Sequence, residues 1–301
     1  MVSPVVPAPE FIGLNTGEPP FVVLPRPDVL FGRRAARFRA LTLAHQLEPY
    51  LNFLAILADA QQKLVGTSAA PVLVQADVDR AYEHTMPPLS TQIAAVTDIP
   101  AMLALLIADL SETPLDPGPK AALDRLAAMD SEERGALLAS VAEGAFPLEQ
   151  LAEAAVVSAA LQVWFARAAA QLDPAVVKTV EEGICPACGS APVASMIVGW
   201  PQAPNSRYLC CSLCNIYWNY VRVKCTACTT TQGISYRMIE GQPDDMAAEV
   251  CEGCGGYAKH LMQHKTPSID PFADDVASYG LDVLLREEGW KRTTINPFLV
   301  G

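Results

Sequence analysis

Four C-x-x-C pairs stand in order in the second half of the chain: Cys185/Cys188, Cys211/Cys214, Cys225/Cys228 and Cys251/Cys254. Each cysteine of the last two pairs lies 40 residues after its counterpart in the first two, and 22 residues separate both Cys188 from Cys211 and Cys228 from Cys251. The pattern is an internal repeat. A C-x-x-C turn aims two thiolates at one point. Two such knuckles brought together by a hairpin supply four sulfurs in a tetrahedron, about 2.3 Å from an ion such as zinc. The spacing therefore predicts two mononuclear four-cysteine metal sites. Cys185, Cys188, Cys211 and Cys214 would form the first; Cys225, Cys228, Cys251 and Cys254 would form the second. Pairing neighbouring knuckles is the economical topology, and an interleaved pairing stays open. Every knuckle has a thiolate partner, so closed sites are expected rather than catalytic ones with a free coordination position. Four soft thiolates suit zinc and a single iron equally.

The competing chemistries are weaker. A thioredoxin-type redox knuckle needs a βαβ context that these residues do not offer. Iron–sulfur cluster motifs draw their cysteines with different spacing. Cys210, the ninth cysteine, reads as a strand residue facing away, although a shifted register would let it compete with Cys211. Arg207, Arg222, Lys224 and Lys259 stand close in sequence and would offset the negative charge of a four-thiolate site. His260 and His264 read as a surface pair on a strand; His45 and His84 read as structural. Tyr217, Trp218 and Tyr220 are expected to pack over a knuckle, the alternative being stacking on RNA bases. There is no P-loop, dinucleotide fingerprint or H-E-x-x-H, and no catalytic residue is assigned.

The elements that must hold these knuckles are of two kinds. Seven prolines fall in residues 1–27, which predicts an extended arm with little regular structure. Residues 28–182 are rich in alanine and leucine at helical spacing, with proline-punctuated loops, and predict an all-α domain. Expected helices are one capped by Asp28 with Phe31, Ala35, Phe38 and Leu41 on its face, one from Pro49 to about Gly66, one over 71–85, one over 100–110, one capped by Asp130 and Glu133, and a long one over 147–172. Composition shifts at Gly183 to cysteine, glycine, tyrosine and threonine. Strand-like runs follow at 193–198, 207–210, 217–223, 234–239 and 257–262. So little apolar mass could hardly fold by burial alone, and a structural metal site supplies on the order of 10 kcal/mol. The fold class is thus multidomain α plus small β: an arm (1–27), a helical domain (28–182), two tandem rubredoxin-like or zinc-ribbon-like four-cysteine metal modules (183–222 and 223–265), and a C-terminal helix with an apolar tail (266–301). The tail, 295–300, leaves three docking surfaces open: the body, a partner, or a second copy in a homodimer.

The 301 residues carry a net charge of −12, with 51% hydrophobic and 18% charged residues. That composition excludes intrinsic disorder. Its charge repels phosphate backbones and anionic lipid, which sets nucleic acid and membrane aside as partners. Residues 1–12 lack the basic start of a secretory leader, and the apolar stretch 154–172 is interrupted by Ser158, Gln162, Arg167 and Gln171. A cytoplasmic protein is expected.

Several stretches resemble the formate dehydrogenase accessory protein family FdhE: LPRPDVLFGRRAARFRALTLAHQLEPYLNFLAILADAQ (24–61), GICPACGSAPVASMIV (183–198), RYLCCSLCNIYWNYVRVKCTACTTTQGISY (207–236), CEGCGGY (251–257) and TTINPFLVG (293–301). The resemblance implies a cytoplasmic protein that is not an enzyme and that acts on the catalytic subunit of respiratory formate dehydrogenase during its assembly. It also implies rubredoxin-like iron at the eight knuckle cysteines. Two further readings stay in view: an electron-transfer protein adjusting the client's redox state, and, distantly, a nucleic-acid-binding zinc ribbon.

Overall fold

The computed structural model describes residues 2–4, 18–89 and 98–299. Proline sets several helix starts, because its missing N–H costs nothing in the first turn. Pro27 opens α1 (Pro27–Leu41) and buries Phe31, Ala35 and Phe38. Asp28 lies inside that first turn without capping it and pairs with Arg26 instead, a correction to the expected cap. The chain turns through Ala44 at φ 55° and re-enters helix at α2 (Glu48–Thr67), with Pro49 in the first turn. The helix expected over 71–85 begins only at α3 (Gln75–Glu83). Arg167 and Gln171 take the carbonyls of Ser68, Ala69 and Pro71, which holds the preceding stretch extended.

Helix α4 (Ile99–Ser111) is followed by α5 (Pro117–Ala128), an element absent from the sequence expectations because its Pro-Gly-Pro opening reads as a loop. In α6 (Ser131–Ala142) the expected cap is complete: Asp130 accepts from the Glu133 N–H, and Glu133 accepts from the Asp130 N–H. Helix α7 (Leu151–Ala169) runs through the centre and is buried on nearly every side. The stretch Leu148–Ala169 is long and apolar enough to cross a membrane, but 83% of its most apolar 18-residue window is buried inside the fold, as befits a core helix.

The knuckle region is more unified than two separate small modules suggest. Strands β3 (Pro192–Ile197), β4 (Arg207–Cys211) and β5 (Tyr217–Asn219) form one repeat; β6 (Ile234–Ile239), β7 (Met246–Cys251) and β8 (Gly256–Met262) form the other. The two triplets join where β8 runs parallel to β3, with Ser195 opposite His260. The arm adds a strand at each end: β1 (Val2–Pro4) against β6 and β2 (Val22–Val23) against β5. Within the arm's described residues the regular structure is limited to these two short strands, and its residues 1 and 5–17 lie outside the described ones. The strand expected over 217–223 stops at Asn219, because Arg207 captures the carbonyls of Val221, Arg222 and Lys224. Strand β7 is also absent from the expectations; its Met-Ala-Ala-Glu start has helical composition.

In place of the single C-terminal helix expected, two form: α8 (Pro271–Ala277) and α9 (Tyr279–Glu287). Lys259 donates to the Asp275 carbonyl, the acceptor a continuous helix would offer to Tyr279, and also to Ser278. A two-residue strand, β9 (Lys291–Arg292), runs parallel to β8. The tail docks on the body of its own chain. Phe298 is buried against Phe272, and the Tyr50 hydroxyl donates to the Phe298 carbonyl.

Candidate metal centres

All four knuckles adopt one local conformation. The residue after the second cysteine is left-handed in each: Gly189 (φ 81°), Asn215 (φ 61°), Thr229 (φ 60°) and Gly255 (φ 68°). These positions obey the same 40-residue shift as the cysteines. In knuckles one, three and four that residue's N–H donates to the carbonyl of the first cysteine. The turn then presents N–H groups to sulfur. Leu213 and Cys214 donate to Cys211 Sγ at 3.3 Å, and Ala227 and Cys228 donate to Cys225 Sγ at 3.4 and 3.5 Å. Such donors favour the thiolate a metal ligand must be.

The sulfurs gather as neighbours, not interleaved. Cys185 lies 3.5 Å from Cys214, and Cys188 lies 3.4 Å from Cys211. In the second group Cys225 lies 3.7 Å from Cys254, and Cys228 lies 3.6 Å from Cys251. Within each group all four sulfurs lie within 4.8 Å of one another. A disulfide needs about 2.05 Å. A tetrahedron of sulfurs about 2.3 Å from a central ion has edges of about 3.8 Å, so the spacing suits a metal. Two four-cysteine clusters able to hold an ion are thus present.

The thiols of the first group are all buried, and they cannot all ionise without a cation. Burial pushes Cys185 and Cys214 well up. At Cys188 burial also pushes up but is outweighed by bonds from Cys185, Cys211, Cys214 and Ser190, which hold it well below the ordinary thiol value. In the second group burial pushes Cys254 up to about 12, whereas the Thr230 N–H lowers Cys228.

Site 1 is bolted to the helices. The Arg34 guanidinium, buried in α1, donates to Asn215 Oδ1 at 2.7 Å and lies 3.8 Å from the centroid of the Phe272 ring. Gln162 of α7 donates to the Ser212 carbonyl and accepts from Arg34. Neither residue stands out in the sequence as a support for a knuckle. Polar interruptions in an apolar helix, such as Gln162, are the available signal. Cys210 is buried outside the cluster, where burial pushes its thiol well up.

The basic residues expected to offset the thiolates are engaged elsewhere. Arg207 pairs with Glu249, Lys259 with Asp275 and Asp282, and Lys224 with Glu182, while Arg222 donates to the Asn205 carbonyl. Backbone N–H groups take over that role around Cys211 and Cys225. Of the aromatics, Tyr220 reaches a knuckle, its hydroxyl donating to the Cys225 carbonyl; Trp218 is buried in the core. His45 ties the α1–α2 turn to the Ala277 carbonyl, and His84 is exposed.

The histidine pair corrects a second expectation. His264 is partly exposed, but His260 is buried in β8 with its ring edge-on to Tyr236, because that register turns it inward. Burial, with Arg207, Arg222 and His264, lowers its pKa well below 6.5. The folded chain therefore binds fewer protons at this site than the unfolded chain. The resulting stability is complete above about pH 6.5 and is lost as pH falls below it, by at most about 1.4 kcal/mol per pH unit. Urea midpoints at pH 7.5 and 5.5 should differ less in His260→Gln than in the parent; an unchanged difference would contradict the assignment.

Gly183 joins the two centres. At φ 82° its ideal Cβ would stand 2.1 Å from the Thr226 carbonyl oxygen, on the third knuckle. Gly183→Ala should cost about 2 kcal/mol or more, since both backbone strain and a backbone clash oppose it. Gly241, at φ 80° with nothing near its Cβ, is the control. A thermal midpoint no lower in Gly183→Ala than in Gly241→Ala would refute the clash.

Comparison with known proteins places these features in a family. Three family models match in succession: "FdhE, N-terminal" over residues 19–182, "FdhE, central domain" over 184–222 and "FdhE, C-terminal domain" over 223–299. An FdhE homolog of Rhizobium meliloti is 42% identical over 306 residues, covering 100% of this chain and 99% of its own. One from Edwardsiella ictaluri is 36% identical, covering 92% of this chain and 91% of its own. The crystal structure of the FdhE protein from Pseudomonas aeruginosa superposes with a TM-score of 0.84 at 35% identity, covering 93% of this chain and 99% of that one. With the arm's end, the helical body and both knuckle repeats matched in order, the chain belongs to the FdhE family of formate dehydrogenase accessory proteins.

Proposed function

We propose that the chain acts in the cytoplasm as an assembly factor that binds the catalytic subunit of respiratory formate dehydrogenase through a metal-stiffened scaffold. As a member of the FdhE family it is an accessory factor and not an enzyme. The observation that carries the reading is the pair of four-sulfur clusters set in an FdhE fold. Cys185, Cys188, Cys211 and Cys214 would hold one ion, and Cys225, Cys228, Cys251 and Cys254 the other. Iron is favoured by family and zinc fits the same donors. A bound ion supplies a cross-link between two knuckles. The protein's own residues do the rest: the left-handed turns aim the sulfurs, N–H groups stabilise thiolates, and Arg34 and Gln162 fix the first centre to the helices. The division into arm (1–27), helical domain (28–182), two modules (183–222 and 223–265) and C-terminal part (266–301) belongs to the same proposal.

The test is co-purification of the tagged chain with the catalytic subunit. The parent should retain the subunit, and a Cys185→Ser/Cys211→Ser variant should lose it. Failure of the parent to bind, or equal binding by both, would overturn the reading.

A further inference from the structure

The two centres share one local geometry but not one environment. All four cysteines of site 1 are buried, whereas in site 2 Cys228 and Cys254 are exposed. Every residue from Cys211 to Ile216 is buried at site 1; at site 2 the stretches 227–229 and 252–254 are exposed. The site 1 cysteines belong to the apolar core that runs through the helical body. The site 2 cysteines belong to neither that core nor the smaller one beneath β7 and β8. Site 1 is covered further by its neighbours. Leu89 donates to the Ala187 carbonyl at 2.7 Å, and Pro87 stands 3.3 Å from where a Gly189 Cβ would be. Arg34 and Gln162 hold the second knuckle from the other side. At the equivalent positions of site 2, 40 residues on, Ala227, Thr229 and Glu252 are exposed and Gly255 is partly exposed.

Ligand exchange at a closed four-thiolate centre needs an incoming donor to reach the ion as one sulfur leaves. At site 1 a cavity of about 280 Å³ reaches Cys188 alone among the four cysteines, and all four are buried, so full release of the ion requires the core to open, which draws on the stability of the whole fold. At site 2 two of four sulfurs already face solvent. From this asymmetry we infer that site 2 is a metal-exchange centre, where a small thiol takes the ion by displacing Cys228 or Cys254, while site 1 is a permanent structural staple. In the exchange the incoming thiol forms a sulfur–metal bond as the Cys228–metal bond breaks, and the freed Cys228 thiolate takes up the proton that the incoming thiol releases. No electron is transferred. The inference rests on the ligand assignment proposed above and adds a difference in role between its two halves.

The experiment uses the full chain loaded with two equivalents of Co2+, whose thiolate charge-transfer absorption reports each site. Challenge with excess dimercaptosuccinate should release the ions in two phases of equal amplitude, with rates apart on the order of a hundredfold. Cys228→Ala should remove the fast phase and leave the slow one. Because a variant can also perturb its surroundings, timed alkylation of the parent gives a second readout: Cys228 and Cys254 should be modified before Cys185, Cys188, Cys211 or Cys214. A single release rate for both ions, or first modification within site 1, would overturn the inference while leaving the two-site assignment intact. Binding of fewer than two Co2+ ions would overturn the assignment itself.

Discussion

Replacing Cys211 by serine is expected to remove one ion per chain and the folded state with it. Cys211 ends β4, opens the second knuckle and lies in the main core with no exposed surface. Its sulfur accepts two N–H bonds and faces Cys188. A structural metal site contributes on the order of 10 kcal/mol, and the net stability of a domain is about 5–15 kcal/mol, so losing one ion consumes most of the margin. The expected variant is poorly soluble, melts without a cooperative transition and carries at most one ion. Cys254→Ser is the contrast. Its position is exposed and lies outside both apolar cores, so that variant should lose one ion yet keep the helical body folded. Circular dichroism melts and metal stoichiometry read both outcomes. A Cys211→Ser protein with two ions and the parental melt would remove the basis for calling site 1 structural.

Arg207→Met is expected to cost about 3–5 kcal/mol, the range for breaking a buried ion pair from one side. Arg207 and Glu249 are both buried and meet at 2.9 Å across the two repeats. Burial pushes the Glu249 carboxyl up, an effect opposed by Arg207 and the Tyr236 hydroxyl. The same guanidinium also donates to the carbonyls of Val221, Arg222 and Lys224, which lead directly into Cys225. Arg207→Met should therefore loosen the third knuckle as well as the strand that carries the second. Adding Glu249→Leu should recover part of the loss, because it removes the stranded carboxylate. The orphaned carbonyls remain, at about 1–3 kcal/mol where buried. Urea unfolding free energies measure all three proteins. A single variant within about 1 kcal/mol of the parent, on the order of the error in such extrapolations, would contradict the bridging role.

The cysteines make the centres legible because coordination chemistry ties spacing to geometry: a two-residue gap and a 40-residue repeat leave few ways to gather eight sulfurs. Helix starts are legible where the cause is local, as in the Asp130–Glu133 box. What stays hidden depends on residues far apart in sequence. The late start of α3 is enforced by Arg167 and Gln171, and the break between α8 and α9 by Lys259. The merger of both repeats into one sheet follows from β8 lying beside β3, which no local pattern encodes. His260 reads as superficial because it follows the fourth knuckle on a strand and pairs in sequence with His264; its burial follows from strand register. Exposure, which separates the two centres, is invisible in a repeat whose halves look alike.

The claim at the root of the account is that eight cysteines form two separate sulfur tetrahedra. X-ray absorption on anaerobically purified protein, with elemental analysis of the same sample, tests it most directly. Two ions per chain are expected, each surrounded by four sulfurs at about 2.3 Å and by no lighter ligand. A folded protein without bound metal, or an ion ringed by nitrogen and oxygen donors, would contradict it.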